Sequence, residues 1–140
     1  MKFLVAYTGG TEMDKAVLAL AKKNAKLFNA TLYIANSMEG ASEKEADDLT
    51  KIENNLKTLK ASITKEGILC ETRLLIRGLS PGEDIVEFAK DNNVDQIFIG
   101  IEKESKVGKL FFGSNAQHII LEAACPVVSV NKNIFKMKSV

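Results

Sequence analysis

Short apolar runs alternate along this chain with longer stretches whose apolar residues recur every three or four positions. The first run, Lys2 to Tyr7, is rich in Phe, Leu, Val and Tyr and stops at Gly9-Gly10, which predicts a buried strand and a turn. Thr11 then reads as a helix N-cap, with Asp14 three residues on as a weak form of the capping box. Met13 to Phe28 carries Val17, Leu18, Leu20, Ala21, Ala25 and Phe28 at helical spacing, and Asn29 suits the C-terminal cap. Ala30 to Ala35 predicts a second strand, and polar Asn36 to Ser42 a loop. A long helix starts at Ser42 or in the acidic run after it and ends at Gly67. Its apolar residues Leu49, Ile52, Leu56, Leu59 and Ile63 would also suit a coiled coil, but so few repeats beside predicted strands favour packing on a sheet.

Ile68 to Ile76 predicts a third strand, with Leu69, Glu71, Arg73 and Leu75 on one face and Cys70, Thr72, Leu74 and Ile76 on the other. That mixture suggests a half-solvated edge. Ser80-Pro81-Gly82-Glu83 is a helix start, with Ser as cap, Pro at the first helical position and Glu at the third. The helix runs through Ile85, Val86, Phe88 and Ala89 and breaks at Asn92-Asn93. Gln96 to Ile99 is a fourth strand closed by Gly100, and Ile101 to Phe112 a loop. Gly113-Ser114 opens a last helix through Ile119, Ile120, Leu121 and Ala124. Pro126 to Val130 is a fifth strand, and the residues from Asn131 onward read as a tail.

Strands alternating with helices predict an α/β fold: an open five-stranded parallel sheet, helices on both faces, with right-handed crossovers. Ligands in such sheets sit beyond the carboxyl ends of the strands, where the winding reverses. Periodicity alone does not say which strand pair forms the reversal.

The 140 residues suit one domain spanning 1–140. Apolar residues make up 46% and charged residues 26%, an ordinary globular balance. A net charge of +1 gives no footprint for nucleic acid or a membrane surface. No stretch approaches the ~20 apolar residues of a membrane span, and the opening apolar run is too short for a secretory signal. The expectation is a reduced, cytoplasmic protein. Cys70 and Cys125 read as two buried thiols, and a lone His with two distant Cys makes no zinc site.

Other motifs fail on spacing. Gly108-Lys109 invites a P-loop reading, but Leu110 follows and Lys103 stands five before Gly108, where glycine is needed. The adjacent Gly9 and Gly10 are not a dinucleotide fingerprint. His118 has no nucleophile at a suggestive spacing and reads as a surface or half-buried helix residue. Ser105 and Ser114 show no activating base, so no catalytic residue is assigned. Glu43, Glu45, Asp47 and Asp48 read as a solvated helix start rather than a metal site. Phe111 and Phe112 read as loop anchors.

The last third is the specific part. Gly100, two residues, Lys103, nine residues and Gly113-Ser114 resemble the signature loop of the universal stress protein family, a glycine, two residues, a glycine, nine residues, then glycine with Ser or Thr. The ending A-A-C-P-V-V-S-V and the opening V-A-Y-T-G-G are similar too, so the resemblance covers essentially the whole chain. It implies the sheet order three-two-one-four-five of a Rossmann-like, adenine nucleotide alpha hydrolase-like fold. It also implies an adenine nucleotide, ATP with or without Mg2+, at the crevice between the first and fourth strands. Carried over, the site residues are Thr8 and backbone near Ala35 for the base, with Ile99, Gly100, Lys103, Gly113, Ser114 and Asn115 around the phosphates. Glycines let N–H groups approach phosphate oxygens, and the Gly113-Ser114 end opens a helix whose N-terminus favours anions.

Two positions depart from the family pattern. Lys103 replaces the second loop glycine, and Thr8 replaces an aspartate after the first strand. Lys103 could reach a phosphate as a point charge between repelling Glu102 and Glu104, with Lys106, Gly108 and Lys109 as compensation. The resemblance further implies a homodimer through the last strand, Pro126 to Val130, and a nucleotide-responsive regulator with at most slow hydrolysis. The alternatives are a non-nucleotide-binding dimeric scaffold of the same family and a small α/β nucleotide-handling enzyme.

Overall fold

The computed structural model describes residues 1–40, 46–101 and 113–136. The elements are β1 (Lys2–Ala6), α1 (Glu12–Phe28), β2 (Thr31–Met38), α2 (Ala46–Lys65), β3 (Cys70–Ile76), α3 (Pro81–Asp91), β4 (Gln96–Gly100), α4 (Ser114–Glu122) and β5 (Val127–Val130). All ladders are parallel and the order is β3-β2-β1-β4-β5, as expected.

The strand sequences suit these positions. β1 and β4 are continuous apolar runs whose three middle residues are buried, as strands covered on both faces must be. On one face Phe3, Val5, Leu32 and Ile34 pack under Val17, Leu18 and Ala21 of α1 and Leu56 and Ile63 of α2. On the other, Leu4, Ala35, Ile97 and Ile99 meet Ile85, Val86, Phe88 and Ala89 of α3 and Ile119 of α4. The heptad-like stripe of α2 is therefore a sheet-packing face. β3 takes the predicted edge, its flank carrying the exposed Arg73, which shares Glu71 with Lys60.

The helix ends also follow from their residues. Thr11 and Asp14 form a full capping box, Asn29 closes α1 at φ 52°, and Ser80 caps α3 with Pro81 in the first turn.

Three expectations are corrected. β2 does not stop at Ala35: Asn36, Ser37 and Met38 continue the ladder opposite Leu74, Leu75 and Ile76 of β3. Their polarity comes from the site they enter, not from a loop. The tail contains a 3-10 turn at Lys132–Lys136, whose Ile134 packs on the α1 side of the core. Cys125 is only half-buried, because it precedes the edge strand β5, while Cys70 is buried as expected. The proposed helix start near Ser42, with Glu43 and Glu45, lies outside the described residues, as do Lys103 to Lys109 and Phe111-Phe112.

Candidate functional site

Beyond the carboxyl ends of β1, β2 and β4 lies a cavity of about 610 Å³. It sits where the chain order reverses between β1 and β4, and its size suits a small-molecule site. Three helices begin at its rim, shown by Thr11 before α1, Pro81 in α3 and Gly113 before α4. Their positive ends favour a negative group there.

The three helix starts differ in one respect. Thr11 gives α1 a side-chain acceptor at 3.0 Å from the Asp14 N–H, and Ser80 gives one to α3. Gly113 gives none to α4. Among the described residues, the first turn of α4 is thus the end left without a side-chain cap, the arrangement that takes an anion from outside.

The turn from β1 into α1 is organised by one carboxylate. Asp14 is 4% exposed and accepts the N–H groups of Gly10 at 2.8 Å and Thr11 at 3.1 Å. The Thr8 N–H lies 3.2 Å from both oxygens, and the Thr8 hydroxyl donates to the same carboxylate at 3.0 and 2.9 Å. On the β2 side, Ser37 donates to Asp84 at 2.7 Å. Asp84 has no exposed surface and is also held by Arg77, through Nε at 2.6 Å and a second guanidinium nitrogen on the same oxygen.

Of the residues expected to bind, Thr8, Ala35, Ile99, Gly100, Gly113 and Asn115 come together around this one cavity. Ser114 does not line it: at the first position of α4 it is exposed to solvent. Lys103 lies outside the described residues. The Ala35 carbonyl accepts the Tyr7 N–H at 2.9 Å, and Ile99 is buried as apolar wall. Asn115 accepts the Gly82 N–H through Oδ1 at 2.9 Å, tying α4 to α3. Gly100 is small for a reason besides ligand approach, since a Cβ there would collide with Cγ of Met13.

Met13, Asp14, Ser37 and Ile85 also line the cavity and were not singled out as site residues. Asp14 was legible only as a cap, and Ser37 only as loop polarity. His118 is half-buried and lines a separate hollow with Glu83, Glu87 and Glu122. Burial pushes the Cys70 thiol up to about 11 and raises that of Cys125, with Asp95 adding to the latter, so both favour the unreactive protonated form. Among the described residues, no helix is long and apolar enough to cross a membrane and no group of three or more His, Cys, Asp or Glu could hold a metal ion.

A family model described as the universal stress protein family matches residues 1–131. A universal stress protein of Thermus aquaticus is 29% identical over 133 residues, 91% of this chain and 96% of that protein. The structure of a universal stress protein from Archaeoglobus fulgidus superposes with a TM-score of 0.80 at 34% identity, covering 92% of each chain. A universal stress protein structure from Archaeoglobus fulgidus in complex with dAMP gives 0.76 at 32% identity, covering 92% of this chain and 96% of that one.

Proposed function

The chain belongs to the universal stress protein family, and on that premise we propose that it binds an adenine nucleotide, ATP with or without Mg2+, in the cavity between β1 and β4. The observation that carries this reading is the convergence of three helix starts on the cavity, with α4 lacking a side-chain cap among the described residues. The phosphates lie toward Gly113 and the first turn of α4, and the base toward Thr8 and Ala35. Lys103, which falls between β4 and α4 in the sequence, is assigned as a cation for the phosphates. The similar Archaeoglobus fulgidus protein in complex with dAMP supports an adenine nucleotide as the ligand.

Mg2+ would arrive on the phosphates. Asp14 is the one carboxylate in the described lining, and its oxygens already accept from Thr8, Gly10 and Thr11. The same residue is therefore not free to act as a general base, and the role we assign is binding and signalling with at most slow hydrolysis.

We also assign a homodimer through Pro126 to Val130. Among the described residues β5 ends the sheet and is paired on one side only, while α4, which leads into it, leaves Ile120 and Leu121 exposed. The test of binding is calorimetric titration of nucleotide-free protein with ATP–Mg2+ and with AMP. Micromolar binding supports the reading. No heat up to millimolar nucleotide overturns it and leaves the interaction scaffold as the function.

A further inference from the structure

We propose that the free edge of β3 is a second interaction surface, and that its partner is β3 of another copy of this chain, paired antiparallel about a two-fold axis at Thr72. The proposal does not rest on the nucleotide reading, and it uses the end of the sheet opposite β5.

The backbone supplies the first half of the argument. β3 ends the sheet order, so among the described residues one side of it has no ladder. The Leu69 carbonyl accepts the Leu32 N–H at 2.8 Å and so points toward β2. Backbone groups alternate sides along a strand, which turns those of Cys70, Thr72, Leu74 and Ile76 outward. The Thr72 carbonyl accepts from the Arg73 guanidinium at 2.9 Å, a side chain standing where a neighbouring strand would.

The side chains supply the second half. A two-fold interface sets one patch against the same patch turned round, so the patch has to be complementary to itself. Ile68-Leu69-Cys70-Glu71-Thr72-Arg73-Leu74-Leu75-Ile76 has that property about its middle residue. Antiparallel pairing centred on Thr72 sets Ile68 against Ile76, Leu69 against Leu75, Cys70 against Leu74 and Thr72 against its own counterpart. It sets Glu71 against Arg73 twice. Thr72, with its groups outward, becomes a hydrogen-bonded pair. Glu71 and Arg73 then fall at the non-hydrogen-bonded positions, where opposed side chains come closest. Their side chains are 42% and 49% exposed and meet within the chain at 3.4 Å, and Lys60 reaches the same carboxylate at 3.4 Å. Leu69 and Ile76, both exposed, are the large apolar side chains at the two ends of this edge. Centring the pair on Glu71 or on Arg73 would instead set like charges directly opposite. Pairing at β3 and at β5 together would build assemblies larger than a dimer, since the two edges do not overlap.

The test is sedimentation velocity of the full chain over a concentration series, with Arg73→Glu, Glu71→Arg and the double reversal. Each single reversal sets like charges opposite twice per interface and should weaken association about tenfold. The double reversal restores opposite signs and should associate more tightly than either single variant, an outcome that general damage to the edge does not produce. Amide exchange of the wild type locates the contact: the outward N–H groups of Thr72 and Leu74 should exchange more slowly as concentration rises. Association unchanged by both single reversals, or a double reversal no tighter than the singles, overturns the proposal. So does stronger association of Arg73→Glu, which would make Arg73 a guard that keeps strands off the edge. If a variant does not fold, the wild-type exchange decides, and Thr72 and Leu74 rates that are the same at every concentration overturn the proposal while leaving pairing through β5 standing.

Discussion

Asn115 Oδ1 accepts the Gly82 N–H at 2.9 Å, and the two residues meet so closely that a Cβ on Gly82 would stand 3.0 Å from the Asn115 backbone. This contact joins the first turns of α3 and α4 above the cavity. Gly82→Ala should therefore destabilise the chain by about 1–3 kcal/mol through overpacking. Asn115→Ala should cost about 1–2 kcal/mol by leaving a buried N–H unpaired. Urea unfolding midpoints measure both. Unchanged midpoints would show that α3 and α4 are not clasped.

Gly100 ends β4 where α1 crosses it. A Cβ there would collide with Met13 Cγ and lie 3.3 Å from Val17 Cγ2. Gly100→Ala should cost about 1–3 kcal/mol. The double variant with Met13→Ala should lose less than the sum of the two single losses, since the collision is gone. Additive losses in the cycle would place the strain elsewhere.

Arg77 has the guanidinium that faces the fully buried Asp84, donating from Nε at 2.6 Å and to the Asp84 carbonyl at 3.1 Å. Arg77→Met would leave that carboxylate with Ser37 as its remaining side-chain donor among the described residues. The expected loss is about 2–3 kcal/mol, below the 3–5 of a wholly buried pair because Arg77 itself reaches solvent. Denaturant unfolding of the variant and of Arg77→Lys separates loss of charge from loss of the forked geometry, and Lys should recover only part.

The caps of α1 and α3 were readable because capping is local: Thr11 and Asp14 stand three residues apart, and so do Ser80 and Glu83. The buried runs of β1 and β4 were readable because strands covered on both faces need no polar side. The sheet order needed the family resemblance, since periodicity does not order strands. The carboxyl end of β2 was misread because Ser37 is polar for a partner 47 residues away. No local pattern marks Asp84 as buried, for an acidic residue in a helix's first turn ordinarily serves the dipole in solvent. Ser37 was thus missed because its partner comes from another element, whereas Asp14, whose partners Thr8, Gly10 and Thr11 are local, was read only as a cap.

Burial raises the Cys70 thiol from 9.0 to about 11, opposed weakly by Lys60. The folded chain keeps a proton there that the unfolded chain releases from about pH 9 upward. Stability from this group is complete below that value, falls as pH rises, and its loss levels off near pH 11. Between about pH 8 and about pH 10 the wild type should lose about 1 kcal/mol more than Cys70→Ala. Equal losses in urea melts would show that the thiol ionises freely in the fold.

Gly113 differs from Gly100 in that no atom of the described residues lies within 4 Å of the place its Cβ would occupy, and its φ of −56° and ψ of 149° suit any residue. Among the described residues, nothing requires glycine here. It is also an N-cap without a capping side chain, a position where serine is ordinarily better. Gly113→Ser should hold or raise stability, by up to about 1 kcal/mol, because its hydroxyl would accept from the first turn of α4. The same hydroxyl would take an N–H group that the phosphates otherwise use, and its Cβ would stand in their approach. Nucleotide affinity should fall about tenfold, the effect of one lost hydrogen bond to a charged group. Melting and titration of this one variant therefore move in opposite directions if glycine is kept for the ligand. A variant that binds nucleotide as tightly as the wild type would move the phosphates away from the start of α4.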